Sequence, residues 1–403
     1  MKLLSAKYIV LLALTLVVAS GCEKFFGEKT DLGFIEVPVY QARDIAYVPI
    51  QPYITNLERP VHITIGFDEL IYVVDEATEQ IIAYDEALNE IGRLKVQGVT
   101  SVSQDRRFNL LAIGLKDTTI NGTPYSLSTI YRINLQGSSG YGLSNASISN
   151  TITHPFYFKN SFSTSDAQVR FTQVAILGNN TNAALNNRYY VSRTGPSSNN
   201  AGQGPDDAIV FFDNEDKYIS PVPVNTSGGL FNDYFKKPFG LTSLCQPPQI
   251  TASNSPDFMF TSLDPGSSIK VQYIEFVEGE FGAEFRPIIF PVGNPIADGW
   301  LNSPNKFTYP TGITVAGDES RYIFVTDAEK DSVYQFTSNG LEGVPPPPGS
   351  GSVRYTKASF GGSGPGPTQF NEPRGVAYYN QILYVCDAGN HRVCRFKLTL
   401  DFD

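Results

Sequence analysis

The chain has 403 residues, 41% of them hydrophobic and 17% charged, enough to bury a large core and to exclude wholesale disorder. A formal net charge of −10 repels phosphate backbones, which argues against nucleic acid as a partner. Gly (35) and Pro (27) are abundant, while His (3), Met (2) and Trp (1) are scarce; this is the profile of short strands and many turns, with little material for His-rich metal or catalytic sites.

Residues 1–21 open with Lys2 and Lys7, continue through an apolar run from Tyr8 to Val18, and end in the small residues Ala19, Ser20 and Gly21. Such a run is too short to span a bilayer and reads as a signal peptide. Cys22 follows at once. Val18-Ala19-Ser20-Gly21-Cys22 resembles the lipobox of bacterial lipoproteins, with Ala19 where Leu is usual. The resemblance implies cleavage before Cys22, acylation of that residue, and stable anchoring by several acyl chains. Residues 22–42 then form a polar tether, and 43–403 the folded domain. The expected address is the cell envelope, lipid-anchored, at the outer membrane on either its periplasmic or its surface side.

Along the domain, Asp44–Ile54 carries one strand, and Pro60-Val61-His62-Ile63 begins another. Residues 72–84, YVVDEATEQIIAY, show period-2 alternation on both sides of a polar stretch, the signature of a β-hairpin. Strand pairs follow at Asn109–Ile113 with Thr129–Ile133, Tyr189–Ser192 with Ile209–Asp213, and Phe258–Ser262 with Ile269–Ile274. Between them lie insertions at 136–168 and 193–207, and a further strand start at Pro238-Phe239-Gly240-Leu241. Insertions at 278–307 and 341–367 flank a third strand start, Pro310-Thr311-Gly312-Ile313, and the hairpin 324–336, FVTDAEKDSVYQF. The chain closes with Pro373-Arg374-Gly375-Val376 and the hairpin 384–396, YVCDAGNHRVCRF.

The three hairpins align without gaps. Each reads aromatic-Val-x-Asp, then Ile or Val six residues after the Asp, then an aromatic residue. The aspartates are Asp75, Asp327 and Asp387, each expected to accept hydrogen bonds from the N–H groups of its own turn. Residues 370–396, with Asn390-His391-Arg392, resemble the NHL repeat, a propeller blade; 310–336 and 60–84 resemble it less closely. The resemblance implies an all-β fold, a single β-propeller. The 252 residues from Asp75 to Asp327 divide into four intervals of 63, close to the 60 between Asp327 and Asp387. That spacing gives six blades, with seven as the second choice, and long insertions beyond the usual ~40–50 residues per blade. The chain ends after the third strand of the last blade, so the strand within 44–54 is expected to complete that blade and close the ring. A single Trp excludes propellers pinned by a Trp in every blade.

Two readings of function follow. In the first, the propeller is a non-catalytic binding or assembly module that recognises an envelope protein or a glycan. It would use one face of the disc and its insertions, where Tyr125, Tyr141, Tyr157, Tyr189 and Tyr190 suit sugar or peptide contacts. In the second, it resembles six-bladed lactonases or lyases with one metal at the channel mouth. His62 is the candidate ligand or base for that reading, because it occupies the place of Gly240, Gly312 and Gly375 in the other copies. The binding reading needs no cofactor, and a divalent cation stays open only in the second. Cys386 and Cys394 flank a turn in adjacent strands, which in an exported protein leaves either a cross-strand disulfide or two free thiols, with Cys245 unpaired in the core.

Overall fold

Short β-branched and aromatic runs separated by Gly, Asn and Asp turns leave this chain little choice but antiparallel sheets. In the computed structural model the three repeat hairpins pair in register: Tyr72 faces Ala83, Phe324 faces Gln335 and Tyr384 faces Arg395. The structure describes residues 45–198, 204–248, 254–279, 282–346 and 350–401; the expected leader, Cys22 and the expected tether lie outside the described residues.

Six sheets form a six-bladed β-propeller. Blade 1 comprises Pro60–Ile65, Ile71–Asp75, Gln80–Tyr84 and Glu90–Lys95. Blade 2 comprises Ser101–Gln104, Asn109–Ile120, Thr123–Asn134 and Ser147–Thr153. Blade 3 comprises Arg170–Ile176, Tyr189–Thr194, Ala208–Phe212 and Tyr218–Pro221. Blade 4 runs from Pro238–Ser243 through Phe258–Ser262 and Val271–Gly279 to Gly282–Ile288. It is widened by the hairpin Val224–Thr226 with Gly229–Phe231, docked parallel to its outer strand. Blade 5 comprises Pro310–Val315, Ile323–Asp327, Ser332–Phe336 and Phe360–Gly361; blade 6 comprises Pro373–Tyr379, Ile382–Asp387 and Arg392–Leu398. The first strand of each blade is innermost and packs on the first strands of its neighbours. The expected insertions 136–168, 278–307 and 341–367 thus each contain a blade's outer strand, which their weak alternation hides.

Tyr47–Pro49 completes blade 6, pairing Tyr47 with Leu398 and Pro49 with Phe396, as the truncated last blade requires. Further backbone bonds join Ile54 to Val393 at 2.8 and 3.1 Å. The first and last strands of the propeller are thereby sewn into one sheet.

Six hydrophobic clusters fill the six seams between blades. Each sheet is buried on both faces, so a central strand such as Ile71–Asp75 is apolar almost throughout. This two-faced packing decides the cysteines. Cys386 lies opposite Val393 and Cys394 opposite Val385, one position out of register. Their side chains enter different seams, Cys386 toward blade 1 and Cys394 toward blade 5. A one-residue offset puts them on opposite faces of the sheet. The cross-strand disulfide is therefore not formed, and both remain buried free thiols, as does Cys245.

Candidate functional site

The six inner strands surround a channel along the propeller axis. They approach each other closely enough to demand glycine: a Cβ on Gly375 would lie 2.8 Å from His62 Cα, and one on Gly312 2.3 Å from the Arg374 carbonyl oxygen. Blade 1 has His62 at this position, and its imidazole lies in the channel, 9% exposed.

His62 Nε2 stands 2.9 Å from Gln173 Nε2 of blade 3. Gln173 Oε1 accepts the backbone N–H of Leu241 in blade 4 at 2.9 Å, which fixes the amide with its NH₂ toward the imidazole. His62 Nε2 must then be the acceptor, and the single proton of the neutral ring sits on Nδ1. Val102 N approaches Nδ1 at 3.4 Å. Nδ1 carries the proton and cannot accept this N–H, so the approach is a contact and not a hydrogen bond. Burial pushes the His62 pKa down to about 4, so the ring is neutral at pH 7. The His62–Gln173–Leu241 chain is a strut across the channel that ties blades 1, 3 and 4 together. It separates an upper vestibule, on the side where the inner strands begin, from a polar cavity below. Among the described residues no three His, Cys, Asp or Glu side chains converge on a point where a metal could sit.

The repeat aspartates accept hydrogen bonds from two places, the segment that leads into the blade and, for Asp327 and Asp387, the hairpin itself. Asp75 accepts the backbone N–H groups of Glu58 and Arg59 at 2.8 and 2.9 Å. Asp387 accepts that of Asn371 at 2.7 Å, together with Asn390 Nδ2 and Arg392 Nε at 2.8 Å each. The bonds from Glu58, Arg59 and Asn371 hold the segment that leads into the blade's own inner strand, while those from Asn390 and Arg392 hold Asp387's own hairpin. Asp327 does both: it accepts Thr308 and Tyr309 at 2.6 and 3.0 Å, and the turn residues Glu329 and Lys330 at 3.2 Å. A buried carboxylate satisfies lead-in N–H groups, two at Asp75 and Asp327 and one at Asp387, that the sheet cannot reach. His391, in a left-handed conformation (φ 58°), bonds the Glu58 carbonyl through Nδ1 and links blade 6 to the lead-in of blade 1.

A second concavity lies on the rim between blades 2 and 3. The middle strands of blade 2 are 12 residues long and run past the disc to an Asn121-Gly122 turn with positive φ at both residues. The insertion after them folds back as the outer strand and the segment around Phe156. Together with Tyr218 of blade 3 these enclose a groove of about 610 Å³. Phe156 (42% exposed), Tyr157 and Tyr218 give it an aromatic wall, and Lys116, Thr118, Asn150 and Lys217 its polar fringe. Asp216 lies at its base, held by Arg132 through bonds of 2.6 to 3.0 Å, by Asn150 Nδ2 at 2.8 Å and by the Tyr189 hydroxyl at 3.0 Å. Burial opposes ionisation of Asp216, but Arg132 more than offsets it and holds the carboxyl below its usual range. Arg132 also bonds Asp105 at 2.6 Å. Under the groove, fully buried His154 lies 3.3 Å from Asp166, which Lys159 contacts at 2.9 Å; burial pushes the imidazole down to about 3. The wall is therefore built on a packed polar cluster.

Of the tyrosines expected on loops, only some are available. Tyr189 and Tyr190 are fully buried strand residues, because each blade face is covered by its neighbour. Tyr125 packs tilted against Phe162 with ring centroids 4.7 Å apart, Tyr141 bonds Asp68, and Tyr157 joins the groove. Sequence reasoning missed Gln173, Arg132, Asp216 and Phe156. Gln173 belongs to an inner strand without the Pro-x-Gly start, so nothing local marks it as facing the channel.

Residues 370–396 match the NHL repeat profile. That stretch lies in blade 6. No curated protein matches the sequence. Similar solved structures include virginiamycin B lyase from Staphylococcus aureus (11% identity, 87% of this chain and 99% of that one, TM-score 0.44). An auxiliary nutrient binding protein from Bacteroides ovatus matches at 12% identity over 88% of this chain and 72% of that one, TM-score 0.45. A gluconolactonase from Xanthomonas campestris matches at 9% identity over 89% and 99%, TM-score 0.43. At these identities the likenesses concern the fold and carry no assignment of activity.

Proposed function

We propose that this propeller is a non-catalytic binding module of the cell envelope, anchored by a lipidated Cys22 and recognising a protein or glycan through the rim groove between blades 2 and 3. The observation that carries the reading is the groove itself: an exposed aromatic ring above a pre-organised polar base, built from the one long hairpin and one of the insertions. Aromatic faces with adaptable Asn, Thr and Lys neighbours suit sugar rings and peptide side chains alike, and a rigid scaffold under loops is the usual setting for recognition. The alternative, a metal-dependent hydrolase or lyase, needs His62 as ligand or base. Its Nε2 lone pair is already engaged by Gln173 and its other nitrogen carries the proton, which favours the binding reading.

The test is purification of the full-length, lipidated protein from its own membranes in mild detergent, followed by mass spectrometry and glycan analysis of what accompanies it. A stoichiometric partner or glycan, lost with Phe156→Ala, is expected. A clean monomer, or a partner retained unchanged by Phe156→Ala, would overturn the assignment to this groove. Cys22→Ser is expected to move the protein from the membrane to the soluble fraction.

A further inference from the structure

Asn-Gly is the dipeptide in which a backbone nitrogen most readily attacks a side-chain amide, because glycine has no Cβ to shield its N–H. The chain holds two such pairs, Asn121-Gly122 and Asn339-Gly340, and the fold treats them differently. Asn339-Gly340 is locked. The Thr337 hydroxyl donates to Asn339 Oδ1, the Gly340 N–H donates to the Thr337 carbonyl at 2.9 Å, and Gly340 is buried against Phe290. Asn121-Gly122 is the two-residue turn that joins Asn109–Ile120 to Thr123–Asn134. Both residues are exposed, and a Cβ on Gly122 would meet nothing within 4 Å. Neither the Asn121 amide nor the Gly122 N–H has a hydrogen-bond partner among the described residues. From Lys116 to Ser126 the two strands pair only with each other, since the neighbouring strands of the blade reach no farther than Ile113 and Thr129. A two-stranded ribbon standing off the core opens locally at low cost.

We infer that Asn121 is a modification site: in the folded protein it deamidates spontaneously to aspartate and isoaspartate, while Asn339 stays intact. The Gly122 nitrogen gives its proton to hydroxide and attacks Asn121 Cγ. The new C–N bond closes a succinimide ring as the Cγ–Nδ2 bond breaks, and the leaving nitrogen takes a proton from water and departs as ammonia. Water then opens the ring. Attack at the Asn121 main-chain carbonyl leaves the backbone running through Cγ, which is isoaspartate; attack at Cγ leaves aspartate. The net change consumes one water and releases one ammonia, with no oxidant, reductant or enzyme. Cyclisation requires the turn to leave its positive-φ form (50° at Asn121 and 82° at Gly122), and opening the Ile120–Thr123 pair is enough to allow it. Either product puts a new carboxylate at the tip of the ribbon whose base supplies Lys116 and Thr118 to the rim groove. Isoaspartate also adds a main-chain methylene for which a two-residue turn has no place. The inference does not rest on the groove being a binding site.

The experiment is incubation of the purified full chain, native and in denaturant, at a series of mildly alkaline pH values. Peptide mapping by mass spectrometry follows each site, and an isoaspartyl methyltransferase detects isoaspartate. In the native protein the peptide holding Asn121 is expected to convert about tenfold or more faster than the one holding Asn339, at a rate that rises with pH. In denaturant the two should convert at similar rates, because only the shared Asn-Gly chemistry then acts. Gly122→Ala should slow the native reaction about tenfold or more. The comparison of native with denatured chain uses no variant and stands should that substitution distort the hairpin. The converted protein should keep its melting temperature, since the turn lies off the core. Equal native rates at the two sites, faster loss at Asn339, an Asn121 that converts only in denaturant, or a product without isoaspartate would each overturn the inference.

Discussion

Tyr47 is the residue on which ring closure can be tested most directly. It sits in the strand that completes blade 6, 4% exposed, with its ring stacked on Phe360 at 5.6 Å and edge-on to Phe324 at 6.1 Å, both in blade 5. Its side chain therefore fills the seam between blades 5 and 6 while its backbone sews the first and last strands of the propeller together. Truncating a buried aromatic residue to alanine costs about 3–5 kcal/mol. Unfolding entropy is about 2.1 cal/mol/K per residue, so for the 360 residues of Asp44–Asp403 a cost of 1 kcal/mol lowers Tm by a little over ~1 °C. Tyr47→Ala should thus lower Tm by about 4–7 °C, whereas Val48→Ala, half-buried beside it, should cost about 1 kcal/mol. Scanning calorimetry reads the shift, and hydrogen exchange should show faster opening of the Arg392–Leu398 amides than of those in blade 3. If Tyr47→Ala melts within a degree of Val48→Ala, the closing strand is an accessory and the packing argument fails. Deleting residues 45–55 should lower Tm further than either substitution.

Three further outcomes are expected. Asp216→Asn, which leaves Arg132 with Asp105 alone, should destabilise by about 3 kcal/mol at pH 7 in denaturant titration. Because the folded pKa of Asp216 is depressed, its contribution is present above the unfolded value of about 3.9 and is lost as pH falls through the folded one; the gap between the two proteins should close below about pH 4, and a gap unchanged at pH 3 would refute the ion pair as its source. Asp327→Ala, which strips an acceptor from two lead-in and two turn N–H groups, should cost about 2–4 kcal/mol, against less than about 0.5 for exposed Asp298→Ala; equal melting curves would show that the lead-in does not need the carboxylate. In a Cys22→Ser chain kept free of reductant, a thiol reagent should find no fast-reacting group in the native state and three after denaturation. Burial pushes Cys245 and Cys394 up to about 12 and Cys386 upward as well, and a count of one after denaturation would restore the disulfide.

The strut across the channel shows why His62 was visible in the sequence and its role was not. A His in place of glycine at a repeated position announces an exception. Whether the exception is a ligand, a base or a brace depends on what stands opposite. That residue, Gln173, is 111 positions away in a blade whose repeat has decayed. The aspartates teach the same lesson at shorter range. Their spacing marks them as backbone acceptors, but whether a carboxylate turns toward the hairpin or the lead-in is decided by how the incoming segment passes over the end of the sheet.

Local pattern by itself marked the all-β class, the hairpins and the closing strand, and with the repeat resemblance it favoured six blades over seven. These follow from period-2 alternation and from repeated residues whose job is the same in every copy, so they need no knowledge of neighbours. Only the tertiary structure decided which side chains meet. Blade packing sent Cys386 and Cys394 into different seams, buried Tyr189 and Tyr190, joined Arg132 to Asp216 across two blades, and gathered six strand ends around one vestibule. Each of these depends on the angle and distance between sheets, which the side chains of all six seams set together and no single segment encodes.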